Sequence, residues 1–453
     1  MSTKVARPDP VGGRLGRALV EFLRLEAAGG IVLLVATIAA LVLANTSAAN
    51  WFHDFWLTEV GLRWGSFEFV RSLEFWVNDG LMTIFFFVVG LEIKQELVVG
   101  ELRDPRKAAL PAIAAIGGMV VPAALFLSVT AGSTATRGWG IPMATDIAFA
   151  VGVLALLSKR VPPPIRLFLL TLAIVDDVGG IIVIAVVYSS GLRGGYLLAA
   201  AVGVLVAFTL RRLGVPWISA YVVVGVVVWY CTYRAGIHPT IAGAVMGLLA
   251  PAVPLRPAVQ VPEFTPGRAT IDRRISESLA ASRFARDSIP VTARLGDALH
   301  PFSSFVVVPL FALANAGVHI GGDLVSTLTD PVALGIMFGL VVGKPLGIAL
   351  ATEVALRSRL ADLPAGVTRA HVLAAGSVAG IGFTVALFVT ALAFTDPVQV
   401  DHAKIGVLFA SIASAVLGSL LFARLPVIAP VAADHSDDVR FGAELADVDP
   451  TDD

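Results

Sequence analysis

Long tracts of Ala, Val, Leu, Ile, Gly and Phe recur along the chain about every 25 to 35 residues. Each is close to the ~20 residues that an α-helix needs to cross the hydrocarbon of a bilayer. Inside lipid the backbone has no water to bond, so a chain made of such tracts folds as helices that satisfy their own N–H and C=O groups. Windows of that length give twelve candidate spans, centred near Val35, Phe85, Gly118, Ala148, Ile174, Gly203, Gly225, Gly243, Pro309, Gly339, Gly380 and Ala413. The expected fold is an all-α polytopic membrane protein. Of 453 residues, 57% are apolar and only 15% are charged, against about 25% charged in soluble domains. A net charge of −1 leaves no basic surplus for nucleic acid, and a lone Cys231 excludes an intrachain disulfide or a cysteine metal cluster. No non-apolar stretch approaches the ~100 residues of a soluble catalytic domain, so neither an enzyme nor a cofactor is expected.

Residues 1–27 form a polar, arginine-bearing lead, 28–424 the membrane domain, and 425–453 an acidic tail. The first span, from near Ala28, reads as a signal anchor. With the N-terminus inside, 26 of the 33 Lys and Arg fall in inside segments. The outside ones are Arg63, Arg71, Arg137, Arg193, Arg234 and Lys404, and the last, Lys344, lies within span ten. This bias predicts cytoplasmic termini. Residues 51–75 form an outside loop holding Trp51, Trp56 and Trp64. Alternation of Val60, Leu62 and Trp64, and of Phe67 and Phe69, with a break at Gly65-Ser66, fits a β-hairpin with a two-residue turn. An aromatic interface belt without strands fits as well. Residues 251–300 form a long inside loop, proline-rich and then arginine-rich, while residues 431–453 carry eight carboxylates and one arginine, the composition of a disordered tail.

Four charges lie deep in these spans: Asp146 in span four, Asp176 and Asp177 in span five, and Lys344 in span ten. Each costs about 2.5–3.5 kcal/mol on insertion scales, so such residues are functional candidates. An Asp176–Lys344 pair could serve only to tie two helices, but three acids and one lysine leave carboxylates without a basic partner. Neighbouring residues on a helix point about 100° apart, so one of Asp176 and Asp177 can face a lysine while the other faces a cavity. Two carboxylates close together in a poorly solvated site cannot both ionise readily. Such a site takes up protons or a hard cation such as Na+, and competition between the two is the chemistry of exchange. The backbone gives a second signal. Pro142 stands just before Thr145-Asp146, and Gly376-Ser-Val-Ala-Gly-Ile-Gly-Phe-Thr384 interrupts span eleven at Gly380 and Gly382. Unwound backbone at membrane depth is tolerated where it lines a cavity or is packed in protein, and paired interrupted spans point to a transport site. Small residues also serve helix packing. An ionised Asp146 would compensate half-helix N-termini, and Lys344 the facing C-termini.

The segments Ala144-Thr-Asp-Ile-Ala-Phe-Ala150, Leu172-Ala-Ile-Val-Asp-Asp-Val178, Gly343-Lys-Pro-Leu-Gly347 and Gly380-Ile-Gly-Phe-Thr384 resemble the signatures of the NhaA-type bacterial sodium/proton antiporters. Further matches are Phe87-Val-Val-Gly-Leu-Glu-Ile-Lys94, Gly236-Ile-His-Pro-Thr240 and Pro309-Leu-Phe-Ala-Leu-Ala-Asn-Ala-Gly317, and the likeness runs from about Gly29 to Ala423, roughly 87% of the chain. The resemblance implies twelve spans in which three to five and ten to twelve form inverted-topology repeats, with discontinuous crossing helices at four and eleven. It implies a homodimer in the bacterial inner membrane that exchanges Na+ or Li+ for H+, usually more than one proton per cation. Asp176 and Asp177 would hold the transient cation and protons, Thr145 and Asp146 would lie at the crossing, and Lys344 would pair with Asp176. Glu92, Lys94 and Glu96 would belong to the cytoplasmic mouth and pH response, as would Asp297 and His300. The family's basic residue between the two glutamates matches Gln95 here, and an acidic position before Leu299-His300-Pro301 matches Gly296, with Asp297 beside it. Among rivals, an intramembrane aspartyl protease lacks its Tyr-Asp and Gly-x-Gly-Asp pairings here, and a channel has no need of a buried Asp–Lys pair. An organic-solute symporter, the alternative, would want an aromatic or arginine-lined span, and none is present.

Overall fold

The computed structural model describes residues 11–65, 67–157, 160–215, 217–252, 290–319 and 324–426, with side chains from residue 28 onward except at Phe67. The first part of the polar lead, most of the 251–300 loop and the acidic tail from 427 lie outside the described residues. The chain is a bundle of apolar helices. In order they are α1 (Val11–Ala44), α2 (Ala49–Leu57), α3 (Met82–Val98), α4 (Pro105–Val129), a 3-10 stretch (Thr134–Met143), α5 (Ile147–Leu156), α6 (Pro163–Val187), α7 (Gly194–Arg212), α8 (Ile218–Arg234) and α9 (Thr240–Leu249). There follow α10 (Val291–Phe302), α11 (Val308–Asn315), α12 (Pro331–Phe338), α13 (Lys344–Arg357), α14 (Arg369–Ala379), α15 (Phe383–Ala393) and α16 (Pro397–Arg424). Among the described residues, six helices are long and apolar enough to cross a membrane, or nine if each sharply bent pair is one span.

Several helices start by one device. Asp104, Asp330 and Asp396 each precede a proline and accept a hydrogen bond from the backbone N–H two residues on, at 3.0, 2.8 and 3.1 Å. The carboxylate satisfies an orphan donor, and proline at the first helical position has no N–H to leave unpaired. Two other prolines stand inside continuous helices, each just after a π-helical turn: Ser303–Val307 joins α10 to α11 before Pro309, and Gly339–Gly343 joins α12 to α13 before Pro345. Proline cannot bond the carbonyl four residues back and its ring collides with it. Those carbonyls belong to Phe305 and Val341, inside the two widened turns, so the π turns absorb the misfit.

The core has two main parts, one around Phe126, Phe311, Leu340 and Phe388 and another around Ile165, Leu169, Val378 and Phe422. Outward faces carry exposed Ile31, Val35, Leu198, Val223 and Ile412, which suits a hydrocarbon environment and not water. Helices close to backbone contact where both supply glycine. A Cβ on Gly117 of α4 would overlap the Gly347 carbonyl of α13, and the reverse holds as well. Gly90 of α3 and Gly247 of α9 also face each other, where a Cβ on Gly90 would overlap the Ala244 carbonyl and one on Gly247 the Phe87 carbonyl. Without a hydrophobic drive between helices in lipid, this close approach supplies the dispersion contact that holds them.

Residues 51–75 are not all loop. Trp51 and Trp56 belong to α2, folded back by 113° from α1, with Trp56 and Phe52 turned into the core. Spacing by four puts Phe52 and Trp56 on one helical face, a period that strand alternation does not contain. Strands β1 (Glu59–Trp64) and β2 (Phe67–Ser72) pair antiparallel, from Glu59 opposite Ser72 to Trp64 opposite Phe67. Val60, Leu62 and Trp64 are exposed, while Phe69 is buried among Phe75, Trp76, Trp229, Tyr230 and Tyr233.

A candidate ion site between two interrupted helices

The 3-10 stretch and α5 meet at 44° across Ala144, Thr145 and Asp146, and α14 and α15 meet at 51° across Gly380, Ile381 and Gly382. The two breaks touch: Asp146 N–H donates to the Ile381 carbonyl at 2.6 Å. Broken helices expose orphan N–H groups at their restarts and orphan carbonyls at their stops, and side chains close both kinds here. Asp146 caps α5, its Oδ1 accepting from Phe149 N at 3.0 Å. Its Oδ2 accepts from Thr384 N at 2.9 Å and from Thr384 Oγ1 at 2.6 Å, so the same carboxylate caps α15. One side chain therefore closes two helix N-termini, where a negative charge would be favoured.

On the opposite ends, Lys344 Nζ donates to the carbonyl of Met143, last residue of the 3-10 stretch. Thr145 Oγ1 lies 2.9 Å from the carbonyl of Ala379, last residue of α14. Lys344 also pairs with Asp176 of α6, Nζ to Oδ2 at 2.6 Å, with neither side chain exposed. Thr145 Oγ1 stands 2.8 Å from that same Oδ2. A hydroxyl has one hydrogen and two oxygens claim it, so Thr145 donates to Asp176 or to Ala379 but not to both.

Asp176 Oδ1 is buried and accepts no hydrogen bond from the described residues. Beside it in sequence, Asp177 is half-buried. Pro142 packs against Gly339, where a Cβ would come within 2.6 Å of the proline ring. Gly380 ends α14 against the Leu340 carbonyl, and Gly382 begins α15.

The other expected residues gather elsewhere. Glu92 of α3 and His300 of α10 stand 3.9 Å apart. Glu96, one turn on, accepts from Glu101 N at 2.8 Å and caps the following turn. Lys94 is half-buried on the same helix, and Asp297 is exposed one turn before His300. None of Lys94, Glu96 and Asp297 has a described hydrogen bond or ion pair with the central residues.

Sequence reasoning named Thr384 only as part of a break, and it missed the Met143 and Ala379 carbonyls, whose sole signal is position at the stop of each half-helix. It also missed a reciprocal amide pair between Asn78 and buried Asn315, at 3.1 and 2.6 Å, and a 4.0 Å contact of His238 with Asp79. An Asn inside an apolar tract was the available clue.

Apolar helices interrupted around buried carboxylates and a lysine define a polytopic membrane protein that handles small ions. The family model described as Na+/H+ antiporter 1 matches residues 20–422, and the chain belongs to that family. It is 48% identical over 418 residues to a Na(+)/H(+) antiporter NhaA 2 of Myxococcus xanthus, covering 90% of this chain and 89% of that one. With a Na(+)/H(+) antiporter NhaA 3 of Frankia alni the identity is 43%, over 95% and 96% of the two chains. With a Na(+)/H(+) antiporter NhaA of Escherichia coli it is 44%, over 88% and 96%.

Proposed function

We propose that the protein exchanges Na+, or Li+, for protons across the bacterial inner membrane, with Asp176 and Asp177 as the site where cation and proton compete. The observation that carries this is the Asp176 Oδ1, buried and without a hydrogen-bond donor, beside a second carboxylate. A buried acceptor left so is costly, and a hard cation bound by oxygen ligands relieves it. Na+ bridging Asp177 and Asp176 Oδ1 would draw Asp176 off Lys344. The lysine, no longer paired and still fully buried, gives its proton up, and Asp177 gives up a second. Two protons then move per cation, which makes the cycle electrogenic. Thr145 supports either state, because its single hydrogen can turn to Asp176 while that carboxylate is held by Lys344 and to Ala379 once the cation draws it away.

In the proposed architecture twelve spans cross with both termini cytoplasmic, spans three to five and ten to twelve form inverted repeats, and the two breaks cross at mid-membrane. Asp146 and Lys344 neutralise the half-helix ends there. Glu92, Lys94, Glu96, Asp297 and His300 form the cytoplasmic mouth and pH response, and the exposed edge of the hairpin joins two copies into a homodimer in the lipid bilayer. A close-packed set of carboxylates, hydroxyls and one amine suits an ion better than the carbon substrate of a symporter. The test is made in everted vesicles with a preformed pH gradient: added Na+ should dissipate it, and vesicles carrying Asp177→Asn should not respond. Equal responses from both would refute the assignment.

A further inference from the structure

Away from the central site, a groove of about 330 Å3 lies between α13 and α14. Leu346, Ala349 and Leu350 of α13 and Leu373 of α14 line its apolar part, and Glu353 and Arg369 stand at its end. Leu346, Leu350 and Glu353 follow at i, i+4 and i+7, on one helical face, so the groove runs ~10 Å from a charged rim into the apolar zone. Exposed Leu346 and Leu350 open it to the bilayer.

The rim is cationic. Arg357 Nε holds one oxygen of Glu353 at 2.9 Å and Arg369 Nε holds the other at 2.7 Å. Two guanidinium groups against one carboxylate leave a net positive charge, and each described contact uses only the Nε–H. The outward N–H pairs keep the planar fork that suits a phosphate. An incoming ammonium finds the carboxylate already engaged on both oxygens.

Between rim and apolar floor sits Thr352. Its side chain lines the groove and is 2% exposed, and its hydroxyl has no hydrogen-bond partner among the described residues. A helical threonine ordinarily donates to the carbonyl one turn back, as Thr390 does to Ala386 at 2.8 Å. Thr352 does not. From the membrane interior outward, the groove thus offers apolar wall, an unused hydroxyl and a positive fork. A phospholipid presents acyl chain, ester carbonyl and phosphate in the same order.

We propose that this groove binds one anionic phospholipid, with its phosphate on Arg357 and Arg369, an ester carbonyl on Thr352 Oγ1 and an acyl chain along Leu350 and Leu346. The ligand joins two helices that matter to exchange, because α13 begins at Lys344 and α14 ends at the break. It therefore holds those helices in one relative position.

The test uses the full-length protein, delipidated in detergent and titrated with dioleoylphosphatidylglycerol or dioleoylphosphatidylcholine, with retained lipid counted by native mass spectrometry. The wild type should retain one more phosphatidylglycerol per protomer than Arg357→Gln/Arg369→Gln, whose affinity falls on the order of tenfold or more. Phosphatidylcholine retention should be the same for both. Thr352→Val should weaken phosphatidylglycerol retention while the lipid-free protein melts unchanged, since no protein hydrogen bond is lost. Ala349→Trp, which fills the groove, should abolish the extra lipid. Equal phosphatidylglycerol counts in wild type and the double arginine variant would overturn the proposal, as would retention of phosphatidylcholine with the same arginine dependence, or unaltered binding in Ala349→Trp.

Discussion

Replacing Lys344 by glutamine separates transport of a proton from simple counter-charge. Lys344 and Asp176 are 2.6 Å apart with no side-chain exposure. Removing one partner of a buried pair costs about 3–5 kcal/mol, chiefly because the other charge is left uncompensated. The glutamine amide can still donate to the Met143 carbonyl, so that contact adds little to the loss. The apparent Tm should fall by on the order of 5 °C, and Lys344→Gln/Asp176→Asn should recover most of it because neither charge remains. The transport consequence is distinct. If lysine and carboxylate each carry a proton, the wild type moves one net positive charge inward for each cation expelled, and an inside-negative potential accelerates efflux. Lys344→Gln loses one proton, becomes electroneutral and no longer responds. Reconstituted proteoliposomes with an imposed potassium diffusion potential and 22Na+ efflux measure this directly. An active Lys344→Gln protein that keeps its potential response would refute the carrier role, and fragility with unchanged stoichiometry would leave Lys344 a structural counter-charge.

Asp177→Asn should abolish Na+-driven proton movement with near-normal expression, and exchange retained at every pH would remove Asp177 from the site. Thr384→Val takes one of the two Thr384 hydrogen bonds from Asp146 but keeps the backbone one, so stability should drop by about 1–3 kcal/mol while exchange survives; a dead, normally folded variant would show that the hydroxyl does more than cap. Gly347→Val places side-chain atoms against the Gly117 carbonyl, which forces α13 and Lys344 away from α4; unchanged Tm and exchange would contradict the tight packing. If the hairpin joins two copies as proposed, deleting residues 60–70 should shift the detergent-solubilised protein toward monomer with transport retained, and an unchanged mass by light scattering would take that role from the hairpin.

The fold was legible in the sequence wherever a single physical demand dominated. Apolar tracts give the helices, since every expected span centre falls on a helix or at an interruption between two half-helices. Pro142, Gly380 and Gly382 likewise stand out inside apolar runs, and they lie at or near the places where successive helices bend by 44° and 51°. Helix α2 was not, because a short amphipathic turn between a span and a hairpin obeys neither the span rule nor strict alternation. The π turns before Pro309 and Pro345 were hidden as well, for proline announces a misfit but not whether the helix kinks, stops or widens.

What composition and spacing could not supply was the pairing of ends. The sequence places Asp146 beside one break and Thr384 beside the other, 238 residues apart, and says nothing of which carboxylate oxygen reaches which amide. The structure resolves this through a constraint that applies to any interruption in lipid: two stops and two restarts leave unpaired groups of both signs, and each must be met without water. Asp146 meets both restarts, while Lys344 and Thr145 meet the stops. Two of these three residues then have a second task, because Lys344 and Thr145 share the Asp176 oxygen Oδ2 with the helix ends they close. A change in what Asp176 is paired with therefore cannot stay local. It alters the donors available to Met143 and Ala379, and through them the ends of both interrupted helices. With Asp176 as the proposed ion site, this double duty would couple ion binding to the positions of the helix ends without any contact between the cation and that backbone.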